Sequence, residues 1–163
     1  NPPMDPIELA NNLIETMQYT KALGLSANQV GLPYSVFALW SAQPLVCFNP
    51  RIVDKSQEVV SLEESCATYP HMAVKIKRPK MIKVRFHSAL GEMMNEKFTG
   101  MTARVFQHEM DHIQGLQFLR RANPIHVERA RNQQKQILRA AKRGELTIKQ
   151  FDGSHYEQKI QVQ

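Results

Sequence analysis

The sequence predicts an α+β fold, with short antiparallel β-sheets packed around a central helix and one further helix toward each end of the chain. Three observations predict it. Amphipathic runs of helical period stand near the start, around residue 108 and around residue 133. Six short segments rich in β-branched and aromatic residues lie between the first two runs. The gaps between those segments are too short for helical crossovers, so the strands should pair as hairpins.

The elements follow in order. Asp5 and Pro6 mark a helix start, with Pro6 at the first helical position and Glu8 completing a capping box with Asp5. Ile7, Ala10, Leu13, Ile14 and Met17 form its apolar stripe, and it should fade before Gly24. Residues 23–33 read as a turn-rich stretch of small residues. The strands are then 36–40, 45–48, 59–62, 74–76, 81–87 and 93–98, punctuated by Pro, Gly, Asn and Ser. A helix follows from about 102 to 114, closed by Gly115, with Val105, Phe106, Met110 and Ile113 as its apolar contacts. The last helix runs from 124 to 143, capped by Asn123 and ended by Gly144, with Val127, Ala130, Ile137, Leu138 and Ala141 as its stripe. Residues 1–144 are expected to form one domain that includes the helix 124–143, and residues 145–163 a polar tail.

Charge and cysteine usage narrow the classes. The net charge is +6, but residues 1–120 hold 12 Lys and Arg against 11 Asp and Glu, whereas residues 121–163 hold 9 against 4. A neutral body with a basic end is unlike an evenly basic nucleic-acid-binding domain. No apolar run approaches the ~18 residues of a membrane span, so no membrane partner is expected. Two cysteines, Cys47 and Cys66, read as free thiols in a reducing compartment, with Cys47 in the core. A cytoplasmic location is expected; the chain opens at Asn1 rather than Met, and trimming there leaves an organellar one open.

The strongest chemical signal is His108-Glu109-Met110-Asp111-His112 on the predicted middle helix. Residues four apart share a helix face, so the two imidazoles can grip one divalent cation, and the central helix becomes a metal-binding one. Glu109 then stands where it can serve as base to a metal-activated water. The bland alternative is a surface helix with two solvated histidines. A third ligand is needed, and Cys66, His71, His126 and Glu128 are the candidates. Gly24-Leu25-Ser26-Ala27-Asn28-Gln29 is the second feature: its small residues allow close backbone approach, and Gln29 offers an amide donor to a developing oxyanion. Asp111 reads either as a solvated carboxylate or as one paired with an arginine, with Arg104 and Arg120 as candidates, so as to orient the site.

Taken in order, the Gly-rich stretch ending at Gln29, the stretch Glu63-Glu64-Ser65-Cys66-Ala67-Thr68 and the 108–112 motif resemble the three motifs of peptide deformylases, over about residues 7–120. The resemblance implies that Cys66, His108 and His112 bind the metal and that Glu109 is general base and then acid. It implies an oxyanion hole made by Gln29 and the backbone N–H of Ala67, and a substrate groove lined by Leu23, Gly24, Ser65 and Val105. The implied reaction is removal of the formyl group from N-formylmethionyl peptides, with release of formate. The implied cofactor is one Fe2+ per chain, which Zn2+ or Ni2+ can replace. Bacterial relatives use a C-terminal helix for ribosome contact, so helix 124–143 is a candidate for the same partner, and a bacterial or phage-infected cytoplasm is the implied setting. Five residues depart from the family pattern: Ala22, Ser65, Ala67 and Thr68 within the motifs, and Arg104 near the methionine pocket. None removes a catalytic group. Two other functions remain open from the residues: an HExxH zinc endopeptidase with His126 or Glu128 as third ligand, and a ribosome- or RNA-binding module with a structural metal.

Overall fold

A computed structural model describes residues 4–66 and 69–144. Its elements are α1 (Pro6–Thr20), β1 (Gly24–Ser26), a short 3-10 helix (Ala27–Val30), β2 (Val36–Trp40), β3 (Pro44–Lys55), β4 (Val59–Cys66), β5 (Tyr69–Pro79), β6 (Met81–His87), β7 (Met93–Thr99), α2 (Gly100–Ile113), a second 3-10 helix (Phe118–Arg121) and α3 (Pro124–Lys142). The α+β expectation holds, and all described strand pairings of the larger sheet are antiparallel. The chain divides into two compact units, Asn1–Val59 with Arg78–Leu116, and Val60–Lys77 with Gln117–Gln163. The expected tail 145–163 lies outside the described residues.

In the first unit the sheet runs β1-β2-β3-β6-β7. Strand β2 is a continuous apolar run because both of its faces are covered. Phe37 and Leu39 join Ile82, Val84 and Phe86 of β6 against Val105, Phe106 and Met110 of α2. Val36 and Ala38 pack with Leu9, Leu13 and Met17 of α1. Strand β6, by contrast, alternates: Ile82, Val84 and Phe86 point inward while Lys83 and Arg85 are exposed. Cys47 lies within the α2-side core, as expected, and burial pushes its thiol far above the ordinary range.

Four differences from expectation have physical reasons. Strand β3 does not stop at Phe48 but continues to Lys55. Asn49 takes φ 48° beside Pro50, and the pairing with β6 slips between Phe48 and Arg51. A bulge tolerates proline because the ladder donor is already lost there. The turn-rich stretch after Leu23 contains a strand, β1, because Gly24, Leu25 and Ser26 find partners in Leu39, Ala38 and Phe37 of β2. At α1 the Asp5–Glu8 capping box does not form; Asp5 makes no side-chain cap bond, and its exposed first turn leaves water to satisfy the N–H groups. The stripe of α1 is also turned by part of a residue step, burying Leu9 and leaving Ile7 46% exposed.

The second unit has its own core. Cys66 of β4 and Met72, Val74 and Ile76 of β5 cluster with Phe118, Leu119 and Ala130. Tyr69 and Phe118 meet at a tilt, with ring centroids 5.8 Å apart. Asn123 caps α3 as expected, its side-chain oxygen accepting from Ile125 N at 2.9 Å. The expected apolar stripe of α3 is not buried: Ala130 alone among its described residues is, Val127 packs partly, and Leu138 is 44% exposed.

Candidate metal centre

Helix α2 carries an unusual load. Nine consecutive residues, Ala103–Asp111, are buried, and they include Arg104, Gln107, His108, Glu109 and Asp111. A polar side chain in such a place needs a partner, and Gln107 and Asp111 have theirs close by. Gln107 Nε2 donates to the carbonyls of Ala103 and Pro79. Asp111 accepts from Arg78 at 2.9 Å, both side chains being almost fully buried. The sequence named Arg104 and Arg120 as partners for Asp111 and overlooked Arg78. A signal was present: Arg78 continues the buried alternation Met72, Val74, Ile76 along β5, and a charge in phase with an apolar face must be paired.

His108 and His112 lie one turn apart, with Nε2 atoms 3.2 Å from each other and rings at 69°. Two nitrogens bound to one tetrahedral cation at ~2.0–2.1 Å stand ~3.3 Å apart, so the pair fits a shared metal ion. The ligand atoms of Cys66, His108 and His112 all lie within 4.8 Å of one another, and this is the one such group among the described residues. A thiolate with two imidazoles is a donor set for a borderline or soft divalent cation. His71, His126 and Glu128 are not in the group, and His126 and Glu128 are exposed on α3.

The helix ends just beyond its second histidine. Gly115 adopts φ 71°, its N–H bonding His112 O at 3.1 Å, and Leu116 N bonds Asp111 O at 2.8 Å. This paired closure satisfies carbonyls that would otherwise fray the turn holding His112.

Gly24 of β1 lies against α2. A Cβ there would stand 2.7 Å from Glu109 Oε1 and 2.8 Å from Val105 Cγ1, so only glycine permits this approach. Glu109 is itself 3% exposed. Leu23, next to Gly24, packs partly on the α2-side core, and Val105 is buried within it. The capping box expected at Asp5 forms instead at Ser26. Gln29 Oε1 accepts from Ser26 N at 2.9 Å while Ser26 Oγ accepts from the Gln29 N–H. With its oxygen so engaged, exposed Gln29 keeps the Nε2 end of its amide for other partners. Ser65 is half-buried near the end of β4, and Arg104 is buried on α2. Ala67 and Thr68 lie outside the described residues.

Residues 3–128 match the family model described as polypeptide deformylase. A peptide deformylase of Thermotoga neapolitana is 39% identical over 113 residues, covering 69% of each chain. One from Thermotoga petrophila is 37% identical over 132 residues, covering 80% of each. The crystal structure of peptide deformylase from Thermotoga maritima is similar with a TM-score of 0.69 at 36% identity, over 72% of this chain and 81% of that one.

Proposed function

The chain belongs to the peptide deformylase family and is an enzyme of that kind, and from that premise we propose that Cys66, His108 and His112 hold one divalent cation beside which Glu109 and Gln29 act on the formyl group of a formylmethionyl peptide. The observation that carries this reading is the convergence of one sulfur and two ring nitrogens within 4.8 Å. The endopeptidase and RNA-module alternatives have no support: the endopeptidase's third-ligand candidates, His126 and Glu128, are exposed and outside the ligand group, and the family matched is a deformylase.

When bound, the cation supplies a Lewis acid that acidifies water and polarises the formyl carbonyl. Glu109 takes the proton of the attacking water on a carboxylate oxygen and returns it to the nitrogen of the leaving amine, so that formate and a free amino terminus result. Its burial on α2 suits this role, since a dry carboxylate exchanges its proton with the substrate rather than with bulk solvent. Gln29 Nε2 donates to the formyl oxygen as it gains charge, its orientation set by the bond from Ser26 N to Oε1. The Ala67 N–H, outside the described residues, is the second donor in the same proposal. Leu23, Gly24, Ser65 and Val105 line the groove, with residues 1–144 as the catalytic region. Fe2+ is the resident metal in this reading, and Zn2+ or Ni2+ would satisfy the same donors. The exposed cations of α3 are its contact with the ribosome. A reducing cytoplasm fits two cysteines, neither of which is in a disulfide. No described helix is long and apolar enough to cross a membrane.

The test is formate release from formyl-Met-Ala-Ser with anaerobic Fe2+. Cys66→Ala should lose both bound metal and turnover. Glu109→Ala should keep the metal while kcat falls by ~10²–10⁴. A Cys66→Ala variant with full metal stoichiometry and normal turnover would overturn the assignment.

A further inference from the structure

Deepening the reading of Gln29 as oxyanion donor, and resting on it, we infer that Asn28 is a positioning residue that fixes the aim of Gln29 by tying the segment before it to the metal-bearing helix. Asn28 Nδ2 donates to the backbone carbonyl of His112 at 2.6 Å. Ser26 Oγ lies 2.5 Å from Asn28 Oδ1 and donates to it. The polarity of this relay is set at one end by a carbonyl, which can only accept, and so requires the Nδ2 face of the amide. The amide oxygen then faces Ser26, whose hydroxyl supplies the proton and accepts the Gln29 N–H. The same Ser26 gives its backbone N–H to Gln29 Oε1.

Asn28 and Gln29 are consecutive residues of a single-turn 3-10 helix, which is too short to hold its own geometry. The segment is therefore held from outside. Gly24 sets one contact, where its bare backbone lies against Glu109 and Val105. Asn28 sets the other, on the last turn of α2, at a carbonyl that also accepts from Gly115. The base, a metal-ligand backbone and the oxyanion donor thereby share one frame. Asn28 lies 84 residues from His112 in sequence, and no local pattern announces the bond. Ser26 is fully buried, whereas Asn28 and its bond to His112 lie exposed, so the relay is anchored at its inner end.

The test measures kcat, KM, metal content and thermal stability in parallel for Gln29→Ala, Asn28→Ala, Asn28→Asp and the double variant. Asn28→Ala should lower kcat by ~10–100-fold, the scale of a misplaced catalytic group, with KM and metal content held. Asn28→Asp keeps the shape but has no donor, so it should fall equally. The double variant should be no slower than Gln29→Ala alone, because Asn28 acts through Gln29. Ser26→Thr, which keeps the hydroxyl, should retain more activity than Ser26→Ala. Three results overturn the inference while sparing the Gln29 reading: Asn28→Ala with wild-type kcat, a loss that merely follows metal content, or losses that multiply in the double variant. Wild-type kcat in Gln29→Ala would overturn the Gln29 reading and this inference with it.

Discussion

Helices α2 and α3 both carry many polar side chains, yet they live in opposite surroundings. Helix α2 buries nine residues in a row, five of them polar or charged, whereas α3 buries only Ala130 among its described residues. The contrast shows what polar side chains mean in each place. On α3 a charge costs nothing to keep, because water solvates it. On α2 each polar group must be matched by a partner, and that matching fixes rotamers as well as charge. Precision at His108 and Glu109 is therefore a by-product of the cost of burying them.

The largest expected effect comes from breaking a match on α2. Arg78 and Asp111 form a buried pair, and removing one charge takes from the other a counterion held 2.9 Å away. Asp111→Asn should lower unfolding stability by ~3–5 kcal/mol in a denaturant titration. Asp111 precedes His112 directly, so metal affinity should also fall, by about 10–100-fold. A variant that loses neither stability nor metal would mean that burial on α2 carries no such demand, and the contrast with α3 would collapse.

A smaller effect is expected where α2 is matched by shape rather than charge. Gly24→Ala puts a methyl group 2.7 Å from Glu109 Oε1 and 2.8 Å from Val105 Cγ1. Either Glu109 moves or β1 retreats. Overpacking of this kind costs ~1–3 kcal/mol. Displacing the base should cost about 10²-fold in kcat, with metal content unchanged by elemental analysis. Full activity at reduced stability would show that β1 yields and Glu109 does not.

How much of this was legible before the structure follows the same divide between local and distant. Strands β2 and β6 match their sequence boundaries because an apolar run and an alternation are properties of adjacent residues. The closure at Gly115 and the Asn123 cap were equally readable, since each bonds within a few residues. The 108–112 motif announces a metal pair by spacing alone, but Cys66 was one of four candidates from the residues and was singled out only by family resemblance. What was misread had remote causes. Strand β1 exists through pairing with β2, the extension of β3 through a bulge against β6, and Asp111's partner through a strand over thirty residues earlier. The capping box failed where water could replace it and succeeded at Ser26, which is fully buried.

The smallest expected effect lies on α3, and it tests the other half of the contrast. Arg129, Arg131, Lys135 and Arg139 are all exposed. Changing each to Gln should alter stability by no more than ~0.5 kcal/mol, the usual range for surface positions. Turnover of a short formylated peptide should stay at the parent rate, since none of these side chains belongs to the ligand group or to the β1 segment. Binding to purified ribosomes is where a difference should appear. Removing one phosphate-binding cation should flatten the slope of log affinity against log salt by about 0.7–0.9. A steady decline of peptide turnover along the series would instead tie α3 to the chemistry, and helix exposure would no longer separate the two roles.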